Sequence, residues 1–269
     1  MLIGIFLPAA TPRAQPAEDL SIYFLDVGQG DATILHQPTA CTIVIDAGPL
    51  LNGHKVTQKL QALGVSSIDM LIVTHPHLDH FGGLFDIDPR LPIKRFFDNG
   101  ATNPNREYFD DYQRLRQDLP YQELIRGDDL ECGDVNISVL YPDAKPAPGD
   151  DLNGTSLALL ITYGDFRLLH MGDLAGPAVD RFLELGDKIS APVLKVAHHG
   201  AADAAAKNLL ERVKPAHAII STATQNRIAS PSGAVLQRLS DSGATYYRTD
   251  RDGTITLLVN QDGYRVVSP

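Results

Sequence analysis

Apolar residues in this chain fall in short runs broken by Gly, Asp and Pro, the spacing of buried strands more than of long amphipathic helices. Residues 21–25, 32–35 and 42–45 read as strands, the first two separated by the turn Asp26-Val27-Gly28-Gln29-Gly30-Asp31. Residues 55–63 read as a helix, with Val56, Leu60 and Leu63 on one face and Gly64 as its stop. The wholly apolar run 68–73 is a buried strand that feeds into Thr74-His75-Pro76-His77-Leu78-Asp79-His80. A polar helix is expected over 105–119 and a β-rich stretch over 135–140, followed by a linker at 142–151 with three Pro, one Gly and three Asp. The same order of elements then recurs. Strands 157–163 and 166–171 form a hairpin over Gly164-Asp165, and a helix starts near Pro177. Strand 193–196 ends at His198-His199-Gly200, followed by helix 203–213, strand 218–221, helix 232–240, and strands 245–248 and 254–259. Two successive sets of strands and helices imply two sheets packed face to face with helices outside. The expected fold is therefore α/β (α+β), a four-layer αββα sandwich forming one domain over residues 20–269.

Composition narrows the class. At 43% hydrophobic and 21% charged residues the chain is neither disordered nor fibrous. Its 23 basic and 33 acidic residues give a net charge of −10, so no global positive field draws in nucleic acid, although a local basic groove stays compatible with that sum. The apolar run 2–10 is interrupted by Gly4 and Pro8 and is far shorter than the ~20 residues a bilayer needs. Residues 1–14 resemble the end of a secretory signal without its basic start, and 15–19 are a polar link. Residues 1–19 thus read as a truncated leader and linker, and export to the periplasm or medium is expected, with the cytoplasm as the alternative. Cys41 and Cys132 are either two buried thiols or one bridge.

The chemistry concentrates in His75-x-His77-x-Asp79-His80. Imidazole and carboxylate suit zinc, with manganese as the alternative. Four such ligands cannot all reach one ion. Alternation sends His75 and His77 to one ion and turns Asp79 and His80 toward a second, about 3.5–4 Å away as in two-metal hydrolases. Gly82-Gly83 beyond them permits close backbone approach.

This motif resembles the signature of the metallo-β-lactamase superfamily, and the likeness runs from Leu20 onward. The flanking segments Phe24-Leu25-Asp26-Val27-Gly28-Gln29-Gly30-Asp31, Asp46-Ala47-Gly48, Asn153-x-x-Ser156, Leu169-His170-Met171-Gly172-Asp173 and Leu194-Lys195-Val196-Ala197-His198-His199-Gly200 look most similar to the β-lactamase-like domain of the ComEC-type DNA-internalisation competence proteins. The resemblance implies that Asp173 bridges two metals, although an Asp there also suits a helix N-cap. It makes Asp46 the acid that orients a ligating His, where a plain turn-forming Asp is the alternative. Asn153 stands where many members have a third His and is expected to hold substrate or water. Ser230 stands where a Gly-His-Pro motif supplies a second-site His, so His198 or His199 either makes up the missing ligand or binds the phosphate and protonates the leaving group. On an extended backbone at most one of those two faces the metals.

The metal ligands are thus expected to be His75, His77, Asp79, His80 and Asp173, holding one or two zinc ions, and the catalytic positions Asp79, Asn153, His198 and His199. Asp31 is expected either near the site mouth or as a turn cap, and Lys195 as a strand residue with a solvated head. His36, His54, His170 and His217 are expected to be structural or surface residues. The implied function is a metal-dependent hydrolase, foremost a phosphodiesterase or nuclease acting through metal-activated water. An acyl hydrolase of β-lactams, lactones or thioesters is the alternative, as is a catalytically weak metal-binding domain serving a partner.

Overall fold

The structure is a computed structural model describing residues 19–87, 91–186, 188–224 and 229–268. The expected leader, up to residue 18, lies outside the described residues. In chain order the strands are β1 (Leu20–Phe24), β2 (Thr33–Gln37), β3 (Cys41–Ile45), β4 (Met70–Val73), β5 (Phe96–Asp98), β6 (Tyr121–Glu123), β7 (Asp129–Cys132), β8 (Val135–Tyr141), β9 (Ala158–Tyr163), β10 (Phe166–His170), β11 (Val193–Lys195), β12 (His217–Ile220), β13 (Thr245–Arg248), β14 (Ile255–Asn260) and β15 (Gly263–Val267). The helices are α1 (Gly53–Ala62), α2 (Leu78–Phe81), α3 (Leu84–Ile87), α4 (Phe109–Asp118), α5 (Pro177–Glu184), α6 (Lys207–Val213), α7 (Gly233–Asp241) and α8 (Thr249–Asp252).

The strands form an eight-stranded sheet, β15-β14-β1-β2-β3-β4-β5-β6, and a seven-stranded sheet, β13-β12-β11-β10-β9-β8-β7. Antiparallel β1 alternates buried and half-buried residues, with Leu20, Ile22 and Phe24 turned to the layer between the sheets. From the other sheet Ile137, Leu159, Ile161 and Leu168 fill the same layer. Parallel β4, Met-Leu-Ile-Val, is buried throughout, because a helix covers its outer face as well. α1 and α4 close the first sheet through Val56, Leu60, Phe109 and Tyr112. α5, α6 and α7 close the second through Phe182, Leu209, Val213, Val235 and Leu239. Truncating one such buried Leu to Ala costs about 2–5 kcal/mol. The molecule has the expected four layers. None of its described helices is long and apolar enough to cross a membrane.

Three details differ from expectation. The two halves are not separate sheets, because β14 and β15 cross back and β14 pairs antiparallel with β1, Leu20 opposite Val259. Helices expected from 105 and 203 start instead at Phe109 and Lys207, each after a residue held in the left-handed region, Tyr108 (φ 63°) and Ala205 (φ 48°). Strands β5, β6, β7 and β15 were not evident in the residue pattern. The two cysteines form a disulfide, Cys41 on β3 to Cys132 on β7, which joins one sheet to the other.

Candidate metal centre

β3, β4 and β5 run parallel in one sheet and β10, β11, β12 and β13 in the other, so several strand ends open on a common edge. β3 leads to Asp46, β4 to His75, β10 to Asp173, and β11 to His198 and His199. Gly172, at φ 51°, turns the chain between β10 and Asp173, where a Cβ would lie 3.0 Å from Thr74. Behind His80, a Cβ on Gly83 would lie 1.9 Å from the Ala47 carbonyl oxygen, so Gly is required for α2 to pack on the loop after β3.

Asp173 Oδ2 is the centre of the cluster. Nε2 of His80 lies 3.3 Å from it, Nε2 of His199 3.6 Å and Nε2 of His75 3.7 Å. His75 Nε2 is 2.9 Å from His77 Nδ1, and His199 Nε2 is 3.3 Å from Asp79 Oδ2. Two ligand groups result: His75, His77 and Asp173 on one side, and Asp79, His80 and His199 on the other, each with donor atoms within 4.8 Å of one another. The Nε2 atoms of His80 and His199 are buried without a hydrogen-bond partner. Buried ring nitrogens left unpaired around a carboxylate are a donor set that fits a divalent cation.

The surrounding groups hold this set in place. His80 Nδ1 lies 2.9 Å from Asp46 Oδ2, and Asp46 also accepts from Thr74 N at 2.7 Å and Thr74 Oγ1 at 2.9 Å. Asp173 N donates to Ser156 Oγ at 3.2 Å, and α5 is capped by Gly176, so Asp173 is not its N-cap. Burial pushes the His75 imidazole down and neighbouring His80 adds to this, so it stays well below its usual range. That keeps it in the neutral form that ligates metal. For His80 burial acts downward, yet the Asp173 and Asp46 carboxylates outweigh it and hold the ring well above its usual range.

The tandem histidines do not sit on extended backbone. His198 and His199 both lie in the left-handed region, φ 49° and 52°, so the chain turns sharply between Ala197 and Gly200. Both border the same cleft, and the extended backbone assumed for this stretch is absent. His199 is buried and joins the ligand cluster. His198 is half-buried, with Nε2 3.2 Å from Asn153 Nδ2 and Nδ1 3.3 Å from Asp203 Oδ1. Asn153 keeps a buried Oδ1 without a hydrogen-bond partner. Ser230 packs against Thr222, one residue beyond the Ser221 carbonyl that meets His199 Nδ1 at 3.1 Å.

Lys195 is not solvated. It is fully buried and donates to Asp31 Oδ2 at 2.6 Å, so Asp31 is neither at the mouth nor a turn cap. The signal was present in Val-Leu-Lys-Val, a short apolar strand that parallel neighbours bury on both faces. Burial raises the Asp31 carboxyl, but the Lys195 ammonium prevails and leaves it far below the usual carboxylate range. His170 is buried, which pushes its imidazole down to about 3. His36 meets Thr42 and His217 meets Tyr264, both away from the cluster.

The cluster floors a cleft of about 950 Å³ whose walls include Gln29, Leu50, Leu51, Leu78 and Tyr108 beside His77, Asp79, Asn153 and His198. One wall is thus apolar and the floor carries the ligands.

A four-layer sandwich with His and Asp donors gathered at one sheet edge defines a metal-dependent hydrolase scaffold. The Metallo-beta-lactamase superfamily profile matches residues 25–224, and the chain belongs to that superfamily, whose members bind divalent metals. It is 31% identical over 251 residues to ComE operon protein 3 of Bacillus subtilis (strain 168), covering 86% of this chain and 32% of that protein. It is 26% identical over 256 residues to Competence protein ComA of Neisseria gonorrhoeae, covering 94% of this chain and 34% of that protein. The chain therefore spans about a third of the length of these curated relatives. Among solved structures, the metallo-beta-lactamase fold protein YhfI of Bacillus subtilis superposes with a TM-score of 0.58 at 13% identity, over 94% of this chain and 100% of that one.

Proposed function

We propose that the chain is a zinc-dependent phosphodiesterase of the nuclease type. The observation that carries this reading is the convergence of three imidazole nitrogens on Asp173 Oδ2 at 3.3–3.7 Å. That arrangement suits a carboxylate shared by two cations, the two-metal arrangement that phosphoester hydrolases use. Competence proteins of matching sequence lend support to a nucleic-acid substrate, for the third of their length that this chain matches.

His75, His77 and Asp173 would hold one ion, and Asp79, His80, His199 and Asp173 the other. A bound divalent ion supplies a Lewis acid and acidifies water. Asp46 keeps the His80 ring turned so that Nε2 faces Asp173. His198, at the cleft surface beside Asn153, holds a proton within reach of a leaving oxygen, while the Asn153 amide orients the phosphate. Apolar Leu51 and Leu78 flank the place where the substituents of the phosphodiester lie. The Cys41–Cys132 disulfide supports placing the protein in an oxidising, exported compartment.

The test is hydrolysis by the purified chain, loaded with zinc or manganese, of bis-p-nitrophenyl phosphate, single- and double-stranded DNA, and nitrocefin. Metal-dependent cleavage of the phosphodiesters, with nitrocefin untouched, is expected. Turnover of nitrocefin alone would replace this reading with acyl hydrolysis.

A further inference from the structure

The metal chemistry leaves one buried ion pair unused. Lys195 ends β11 with its side chain wholly buried, donating from Nζ to Asp31 Oδ2 at 2.6 Å and to the Val196 carbonyl oxygen at 3.0 Å. Asp31 is equally buried, and its second oxygen, Oδ1, has no hydrogen-bond partner. That oxygen lies 3.6 Å from His199 Nδ1. The Ser221 carbonyl oxygen is the nearer neighbour of the same nitrogen, at 3.1 Å. Asp31 also holds the other half of the site through its backbone, its N–H donating to the Asp79 carbonyl oxygen at 3.2 Å.

Burying two charges carries a heavy desolvation cost, and an apolar pair of the same volume is often as stable or more so. Stability of the layer between the sheets therefore does not account for the pair, whereas its contact with His199 does. His80 Nδ1 is backed by Asp46 at 2.9 Å; behind His199 the Ser221 carbonyl oxygen takes the nitrogen at 3.1 Å, and the Asp31 carboxylate stands beside it at 3.6 Å. A lone Asp31 would also be a rival ligand, since its carboxylate, Asp173 and His199 have donor atoms within 4.8 Å of one another.

We propose that Asp31 and Lys195 are positioning residues for the Asp79–His80–His199 subsite: the Asp31 charge, beside the Ser221 carbonyl that accepts at Nδ1, favours the His199 ring with Nε2 toward Asp79 and Asp173, and Lys195 holds Asp31 back from the cation. The inference rests on the metal reading of that subsite. Lys195 does not touch substrate, and its ammonium acts through Asp31.

The experiment compares wild type, Asp31→Asn, Lys195→Met and the double variant Asp31→Asn/Lys195→Met by zinc titration, by the visible spectrum of the cobalt-substituted protein, and by thermal melting. Asp31→Asn should weaken one of the two metal equivalents about 10–100-fold, the usual cost of losing a group that orients a ligand. Lys195→Met should change the cobalt spectrum toward higher coordination as Asp31 joins the ion. The double variant removes both charges without leaving either unpaired, so it should melt close to wild type yet keep the metal defect of Asp31→Asn. A double variant that binds both equivalents with wild-type affinity and spectrum overturns the proposal and makes the pair purely structural. Wild-type protein that takes up no ion at His199 overturns this proposal together with the two-ion reading. Every readout is metal uptake, spectrum or melting, so a lack of phosphodiester cleavage overturns the proposed activity alone.

Discussion

Asp46 Oδ2 lies 2.9 Å from His80 Nδ1 with both side chains fully buried. Asp46 itself is held at φ 59°, a conformation that non-glycine residues adopt at some cost, and Thr74 fixes both of its oxygens. The ring of His80 is therefore oriented by a carboxylate that has little freedom of its own.

Replacing Asp46 by Asn preserves the shape of that contact and removes its charge. Metal affinity should fall about 10–100-fold, as for other groups that steer a ligating imidazole. Competitive zinc titration reads the change, and an affinity equal to wild type would show that Asp46 does not steer the ring toward an ion.

The tandem histidines should separate by metal content. His199→Ala removes a buried ring from the Asp79–His80 group and should lose one metal equivalent along with activity. His198→Ala should keep the full metal complement while turnover drops by about 10²–10⁴, the range for losing a general acid or base. Elemental analysis paired with kcat on bis-p-nitrophenyl phosphate checks both. Metal loss from His198→Ala would place it among the ligands instead.

The Cys41–Cys132 bridge closes a loop of 91 residues and ties β3 to β7. Cys41→Ser/Cys132→Ser should lower unfolding free energy by about 2–5 kcal/mol in denaturant titration. Its kcat under mild conditions should be unchanged, because neither cysteine lines the cleft. Unchanged stability would mean the bridge adds nothing that the two packed sheets lack.

Much of this molecule is readable from local pattern. The motif from His75 to His80 stands out because ligating side chains crowd the end of an apolar strand, and Asp46 and Asp173 follow buried strands in the same way. Lys195 reads as a strand residue with a solvated head because its partner, Asp31, is 164 residues away, and only the meeting of the two sheets makes it half of a buried pair. The backbone at His198 and His199 escaped the residue pattern for another reason. Alternation presumes extended backbone, and two successive left-handed non-glycine residues leave no mark that composition reveals. Strands β5 and β6, each of three residues, are too short for any periodicity to register.

The pairing of β1 with β14, Leu20 opposite Val259, joins residues from the two ends of the described chain. Without β14, β1 would be an edge strand with a bare row of hydrogen-bonding groups beside Ile22 and Phe24, the kind of edge that pairs with another chain. The hairpin of β14 and β15 thus serves the first sheet as a cover, taking up the hydrogen-bonding groups that β1 would otherwise present to another chain.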